Sequence, residues 1–172
     1  ALLAETWDVA PDGTAVTVVL RRDAAFHDGS LGDVAEAMQG LAETAGVGLD
    51  VRLTARGSFI EGDLFALGRV YRNLILNAIE ATAPGGGVTL WTEERDGRIR
   101  ILVADTGTGI PDDRLENIFE DFKTTKRTGL GFGLAISRKI VDQLGGHIAV
   151  ASTVGRGTTF SLEFARVESR PE

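Results

Sequence analysis

The order of the predicted elements indicates an α+β fold, an α/β sandwich in which a mixed, mostly antiparallel sheet carries helices on one face. Two pairs of apolar segments, 88–94 with 99–104 and 148–152 with 158–164, are each separated by a short glycine-containing turn, which is typical of antiparallel strands. Other segments place apolar residues at helical spacing. With 172 residues, 43% hydrophobic and 25% charged, the chain is long enough for one domain with its own core.

The first thirty residues predict a hairpin extension. Residues 14–21 have the composition of a strand, residues 5–9 are a possible partner, and Pro11-Asp-Gly13 between them is a turn signal. The predicted division is a hairpin extension at 1–30, added or fused to the rest, a main domain at 31–167 and a polar tail at 168–172.

The next part of the chain predicts a helix, a strand and a longer helix. Residues 32–46 have apolar side chains at helical spacing and end in Gly46, which suits a C-terminal cap. Residues 49–53 alternate as in a strand. Asp63 is placed to cap a helix that runs to about Thr82 with one apolar face.

The second half predicts two strand pairs with two helices between them. Asp96-Gly97 is a hairpin signal between the first two strands, and Pro111 fits the first turn of a short helix over 112–121. The remaining predicted elements are a polar loop at 123–129, a helix at 134–144 that stops at two glycines, and the last strand pair.

Charge and composition exclude several classes of function. The net charge of −7 disfavours a nucleic-acid partner, because an acidic chain repels phosphates. The chain has no cysteine, so it has neither a disulfide framework nor a thiolate zinc site. No run of about 18 apolar residues is present, so no membrane segment is predicted. We expect a cytoplasmic protein.

Four short motifs follow one another within about sixty residues of the main domain. In order they are Asn73-Leu-Ile-Leu-Asn77-Ala, Asp105-Thr-Gly-Thr-Gly109-Ile-Pro111, Ile118-Phe-Glu-Asp-Phe122 and Gly129-Leu-Gly131-Phe-Gly133-Leu134. Together they resemble the N, G1, F and G2 boxes of the ATP-binding catalytic domain of sensor histidine kinases, in the GHKL superfamily. The resemblance covers roughly residues 31–165, and it implies a Bergerat-type sandwich that binds ATP and Mg²⁺.

Asn73 and Asn77 lie four residues apart and therefore share one face of the long helix. An amide oxygen suits Mg²⁺, although two surface amides are the alternative interpretation. The resemblance implies that Asn77 is the Mg²⁺ ligand and that Asn73 lies beside the phosphates as a catalytic residue. ATP-hydrolysing relatives and anti-sigma serine kinases typically have Glu at the position of Asn73, where it is a general base. Asn cannot accept a proton, which favours a histidine kinase.

Asp105 ends an apolar strand and begins a glycine-rich turn. A carboxylate there can accept a hydrogen bond from the amino group of adenine, and stabilisation of its own turn is the alternative. By resemblance, Gly107 and Gly109 let the backbone pass close to the purine, Ile110 packs on its ring and Thr158 lies near it.

The third motif contains Phe119 and Phe122, which are either core residues or, by resemblance, the anchor of a mobile lid over ATP. The residues after it resemble the lid of a subset of these kinases, with Lys123 and Thr125 at the nucleotide and Lys126 at the γ-phosphate as a catalytic residue. A solvated cluster of charges is the alternative for both lysines.

The fourth motif precedes a helix, and backbone amides exposed at the start of a helix bind phosphate. A polar loop comes before it rather than a strand, which argues against a dinucleotide-binding fold. The resemblance assigns to the nucleotide Gly129, Leu130, Gly131, Gly133 and Leu134.

The chain has two histidines, and neither has the setting of a phospho-acceptor. His27 lies in a sequence that predicts a glycine-broken turn, and His147 begins a predicted strand. By resemblance, a histidine-containing dimerisation domain must then be supplied in trans, with a response regulator as an indirect partner. We expect a catalytic domain separated from its acceptor domain.

Residues 1–30 also resemble a stretch of periplasmic peptide-binding proteins, although any hairpin with an Asp-Gly turn has this pattern. Three functions compete with the histidine kinase domain. They are a GHKL ATPase of the chaperone, topoisomerase or mismatch-repair type, an anti-sigma serine kinase, and a nucleotide-binding module without activity.

Overall fold

The computed structural model describes residues 4–9, 16–20, 26–55, 60, 62–120 and 133–167. The elements in chain order are β1 (Ala4–Val9), β2 (Val16–Leu20), α1 (Phe26–Ala45), β3 (Gly48–Leu53), α2 (Leu64–Ala81), β4 (Gly87–Arg95), β5 (Arg98–Asp105), α3 (Asp112–Leu115), α4 (Gly133–Gln143), β6 (His147–Thr153) and β7 (Gly157–Ala165).

Five strands form one sheet in the order β3-β4-β5-β7-β6. β3 pairs with β4 in parallel and the other three pairs are antiparallel, which confirms the predicted mixed, mostly antiparallel sheet. Asp96 and Gly97 both have positive φ, 53° and 71°, as a two-residue hairpin turn requires. β1 and β2 form a separate antiparallel pair, so the two predicted N-terminal strands are present.

The core lies between one face of this sheet and the helices α1, α2 and α4. Along β4 every second residue is buried, as expected for a strand with one covered face. α2 contacts α1, α4 and three strands, so it is the central helix of the layer. No helix in the described ranges is both long and apolar enough to cross a membrane.

α2 has the predicted bounds because both of its ends are capped. The Asp63 carboxylate accepts hydrogen bonds from the N–H groups of Phe65 and Ala66, at 2.8 and 3.1 Å. At the other end the Thr82 hydroxyl donates to the Ala78 carbonyl, at 2.7 Å. α2 is thus fixed along its length, which matters because it carries two of the predicted site residues.

α1 begins at Phe26, six residues before its predicted start, so the expectation that His27 lies in a glycine-broken turn was wrong. Each of Gly29 and Gly32 costs a helix about 1 kcal/mol relative to alanine. Burial of one face offsets that cost, since tertiary packing overrides propensity. The residues of that face are Leu31, Ala35, Met38 and Ala42. The helix therefore crosses the predicted boundary between residues 30 and 31.

The helix predicted over 112–121 is shorter than expected. α3 ends at Leu115, and the N–H groups of Asn117 and Glu120 bond to the carbonyls three residues before them. Such bonds tighten the backbone into turns rather than continuing an α-helix. The predicted polar loop at 123–129 and the tail at 168–172 lie outside the described residues.

Candidate functional site

Asp105 is the last residue of β5 and is 8% exposed. Its Oδ1 accepts two backbone hydrogen bonds, from the N–H of Gly107 at 2.8 Å and from that of Thr158 at 3.2 Å. Within the described part of the chain, Oδ2 has no hydrogen-bond partner. Burial raises the pKa of the Asp105 carboxyl above its ordinary value, and the two N–H bonds oppose that rise. One carboxylate oxygen is therefore fixed and the other is available.

Glycines let three pieces of backbone meet around this carboxylate. A Cβ on Gly107 would overlap the carbonyl oxygen of Ala81, at the end of α2, and one on Gly109 would overlap that of Thr153, at the end of β6. Gly109 also has a φ of 70° and Gly157 one of 107°, which side chains disfavour. A Cβ on Gly157 would overlap the Asp105 carbonyl. The sequence thus requires glycine wherever these segments touch.

The hydroxyl of Ser152 connects the same segments. It accepts a hydrogen bond from the N–H of Ile110 at 2.8 Å, donates to the carbonyl of Gly157 at 3.0 Å and lies 2.9 Å from Oγ1 of Thr158. Ile110 is half-buried against the core and Thr158 is 5% exposed. We call the set Asp105, Gly107, Gly109, Ile110, Ser152 and Thr158 the Asp105 cluster.

A second group joins α2 to the start of α4. The Asn73 side chain donates from Nδ2 to the hydroxyl of Ser137 at 3.1 Å, and that hydroxyl donates to the carbonyl of Gly133 at 2.8 Å. A Cβ on Gly133 would overlap Oδ1 of Asn73. We call Asn73, Gly133 and Ser137 the Asn73 cluster. It brings one predicted site residue of the first motif against one of the fourth.

α2 sets the spacing between the two clusters. The carbonyl of Ala81 accepts a hydrogen bond from the N–H of Thr108, in the loop that follows Asp105, at 3.1 Å. Asn73 lies eight residues earlier on the same helix, which is about 12 Å along the axis at 1.5 Å per residue. Asn77 is half-buried on the turn midway between them.

The described residues contain no group of three or more His, Cys, Asp or Glu side chains that could hold a metal ion. Asn77 contributes an amide oxygen, a hard donor that suits Mg²⁺. Because Mg²⁺ keeps waters and phosphate oxygens in its coordination shell, one protein ligand is a sufficient donor set when a nucleotide supplies the others. The chemistry of this position therefore fits the predicted metal.

The predicted residues divide into those the structure describes and those it does not. It brings Asp105, Gly107, Gly109, Ile110 and Thr158 together, and it brings Asn73 to Gly133. Leu134 is half-buried against the core. The remaining predicted site residues lie outside the described part of the chain: Phe122, Lys123, Thr125, Lys126, Gly129, Leu130 and Gly131.

Phe119 of the third motif packs between two elements. Its ring meets that of Phe160 on β7 edge to face, with centroids 6.4 Å apart, and the Arg138 guanidinium of α4 lies 5.6 Å from its centroid. Phe119 is half-buried against the core, as the core interpretation predicted. Its proposed role as a lid anchor stays a prediction.

Sequence reasoning missed Ser137 and Ser152. For each serine, the distance in sequence to its bonding partner indicates the contact. Ser137 lies four residues after Gly133 in a helix, where a serine hydroxyl can bond back to that carbonyl. Ser152 lies opposite Thr158 across the turn at 154–156, so the two side chains share one face of the hairpin.

Comparison with known proteins gives a family match and similar structures. The histidine kinase-, DNA gyrase B-, and HSP90-like ATPase family matches residues 62–168. Sensor histidine kinase ZraS of Escherichia coli (strain K12) is 41% identical over 116 residues, which cover 66% of this chain and 25% of the relative. The chain thus spans about a quarter of the length of such curated relatives.

Solved structures agree with this match. The catalytic domain of histidine kinase ThkA, in a nucleotide-free form, has a TM-score of 0.74 and 28% identity, over 81% of this chain and 91% of that one. Full-length ShkA in complex with AMPPNP has a TM-score of 0.73 and 34% identity, over 83% of this chain and 31% of that one.

Proposed function

Because the chain belongs to the histidine kinase-, DNA gyrase B-, and HSP90-like ATPase family and resembles the catalytic domains of sensor histidine kinases, we propose that it binds Mg²⁺–ATP and presents the γ-phosphate to a histidine on a separate dimerisation domain. The observation that carries this proposal is the Asp105 carboxylate. Two backbone N–H groups hold one of its oxygens, and within the described residues the other oxygen has no hydrogen-bond partner.

The Asp105 cluster is the proposed adenine site. Oδ2 of Asp105 accepts a hydrogen bond from the exocyclic amino group, and the carboxylate repels the oxygen that guanine has at that position. By resemblance the backbone at Gly107 and Gly109 passes close to the purine, and Ile110 packs against its ring. The half-buried position of Ile110 supports that contact.

The Asn73 cluster is the proposed site of the phosphates. Gly133 begins α4, an eleven-residue helix, and the amides at a helix start attract phosphate. The separation of about 12 Å along α2 supports one extended ligand lying across both clusters. By resemblance the remaining contacts come from Lys123, Thr125, Lys126, Gly129, Leu130 and Gly131, with Phe122 anchoring the lid.

Asn77 is the proposed protein ligand of Mg²⁺. When bound, the ion neutralises charge on the phosphate oxygens and fixes their geometry. Asn77 lies between the two clusters on α2, where it can hold the ion against a nucleotide that spans them.

Asn73 determines the type of reaction. An amide cannot take a proton from water or from a serine hydroxyl, whereas a neutral imidazole attacks without a base. The chain therefore contributes mainly by positioning the phosphate and neutralising charge, and the acceptor histidine comes from the dimerisation domain. From that histidine the phosphoryl group passes to a response regulator. We place this activity in the cytoplasm.

Calorimetric titration with ATP, in the presence and absence of Mg²⁺, tests this function. We expect binding of ATP that Mg²⁺ strengthens, and no comparable binding of GTP. In Asn77→Ala we expect ATP still to bind but the Mg²⁺ dependence to be lost. A chain that binds neither nucleotide contradicts the proposal.

Activity is tested with a supplied dimerisation domain and radiolabelled ATP. Transfer of label to its histidine, with little basal hydrolysis, is the expected result. Rapid hydrolysis without transfer would instead favour an ATPase, and binding without either reaction would favour a non-catalytic module.

A further inference from the structure

Three hydrogen bonds at the Ser152 hydroxyl determine where the protons of the Asp105 cluster lie. The hydroxyl is 2.8 Å from the N of Ile110, 3.0 Å from the carbonyl oxygen of Gly157 and 2.9 Å from Oγ1 of Thr158. A serine hydroxyl has one proton to donate and two lone pairs with which to accept.

Only one assignment of protons satisfies all three contacts. The Gly157 carbonyl has no proton, so Ser152 donates its proton there. The Ile110 N–H occupies one lone pair of Ser152. The second lone pair is left for Thr158, whose hydroxyl must then be the donor to Ser152. The oxygen of Thr158 therefore has lone pairs but no proton to offer to any other group.

Thr158 lies directly beside the proposed purine contact. Its N–H donates to Oδ1 of Asp105 at 3.2 Å, and the residue is 5% exposed, so bulk water competes little for its hydroxyl. With its proton held by Ser152, this hydroxyl can only accept, as the carboxylate does. The residue whose N–H holds the Asp105 carboxylate thus carries a hydroxyl that can only accept.

We propose that Ser152 is a positioning residue that sets nucleotide selectivity by holding the Thr158 hydroxyl as an acceptor beside Asp105. The inference deepens the proposed binding of ATP and rests on it. The ligand it selects is a 6-aminopurine nucleotide, whose amino group donates to these oxygens directly or through one water. A 6-oxopurine presents an oxygen to them and is repelled.

The test compares the affinities of ATP and inosine triphosphate by calorimetry. Inosine triphosphate differs from ATP in having a 6-oxo group and a proton on N1, so it isolates this contact. In Ser152→Ala the Thr158 proton is released and can reach the 6-oxo group. We expect the preference for ATP over inosine triphosphate to fall about ten-fold, the worth of one hydrogen bond, mainly through tighter binding of inosine triphosphate.

Two further variants separate proton placement from a general loss of shape. The double variant Ser152→Ala with Thr158→Val has no hydroxyl proton to release. Its affinity for inosine triphosphate should therefore not increase. Ser152→Thr keeps the hydroxyl, so this variant should prefer ATP over inosine triphosphate as strongly as the unaltered chain does. Ser161→Ala is the matched control, since Ser161 lies on β7 outside the cluster and should leave the preference unchanged.

The outcomes also distinguish this inference from the proposed function. If the unaltered chain binds no purine nucleotide, both are overturned. Two results overturn this inference alone, provided that the unaltered chain binds ATP. In one, Ser152→Ala prefers ATP over inosine triphosphate as strongly as the unaltered chain does. In the other, the double variant gains as much affinity for inosine triphosphate as Ser152→Ala does. Thermal melting identifies a variant that fails to fold, and Ser152→Cys then replaces Ser152→Ala, because a thiol accepts hydrogen bonds only weakly.

Discussion

The two clusters are closed by different parts of the chain. At the Asp105 cluster, Gly107, Gly109 and the adjoining Gly157 lie against backbone carbonyls, those of Ala81, Thr153 and Asp105. In the Asn73 cluster, Gly133 touches a side-chain amide. Backbone held in a helix or a sheet moves little, whereas an amide side chain can rotate. For the proposed nucleotide, the Asp105 cluster would be a rigid end that holds the base, and the Asn73 cluster an adjustable end that holds the phosphates.

The difference between the two clusters predicts that replacing glycine by alanine destabilises the fold more in the Asp105 cluster than in the Asn73 cluster. Gly109→Ala should reduce the free energy of unfolding by about 3 kcal/mol, because it combines a left-handed φ with overlap of the Thr153 carbonyl. Gly133→Ala should cost less than about 1 kcal/mol, since the Asn73 amide can turn away. Denaturant titration measures both. Gly145→Ala has a similar φ of 68° with open space around it, so it reports the conformational strain alone. Equal losses at 109 and 133 would contradict the comparison.

Asp105→Asn should separate binding from stability. The amide oxygen can still accept both N–H bonds, but an NH₂ group replaces Oδ2 and faces the adenine amino group donor to donor. We expect adenosine affinity to fall about 100-fold, as for loss of a charged hydrogen bond, with a melting temperature equal to or above that of the unaltered chain. A variant that melts earlier would show that the carboxylate stabilises the fold.

Ser137→Ala should weaken the adjustable end alone. Without the hydroxyl, the Asn73 amide and the start of α4 lose their connection, and ATP affinity should fall about five-fold. Adenosine, which lacks phosphates, should bind as before. Thr44→Ala is the matched control, because the Thr44 hydroxyl bonds to the carbonyl four residues before it on α1, away from both clusters. If Ser137→Ala lost as much affinity for adenosine as for ATP, the two clusters would not act on different parts of the ligand.

The smallest effect concerns pH. Burial raises the pKa of Asp105 above its ordinary value of 3.8, so the protonated form favours the folded state. That contribution is complete below 3.8 and is lost as pH rises through the raised pKa. The free energy of unfolding of Asp105→Asn, relative to the unaltered chain, should therefore increase as the pH rises above about 4. A constant difference would show that the carboxylate is equally favourable in both states.

Local signals predicted most of the fold and part of the site. Asp63, Asp96-Gly97 and Gly145 mark ends and turns that depend on near neighbours in sequence, and the structure has them where they were predicted. The predicted start of α1 was wrong because the burial of Leu31 and Ala35, a tertiary effect, outweighs the helix-destabilising effect of two glycines.

In the candidate site, too, the features that depend on tertiary packing could not be predicted from the sequence. Asp105 and Asn73 are visible as motifs, but the bonds of Ser152 and Ser137 depend on which segments pack together. A serine has no distinctive sequence signal until its partner across a hairpin or a helix turn is known. The placement of α4 against α2, which makes Asn73 and Ser137 neighbours, is a property of the whole fold.

The hydrogen bond from Thr158 to Asp105 joins residues 53 positions apart. During synthesis, β5 is therefore complete long before β7 emerges to pair with it, and until then the carboxylate lacks half of its backbone partners. A chain that stops before residue 158 cannot assemble the Asp105 cluster at all. Any ligand that needs this cluster binds only chains whose last hairpin has docked, and by mass action it shifts the population toward them. If the proposed nucleotide binds there, it also favours folding, and its binding reports that the last hairpin has been made.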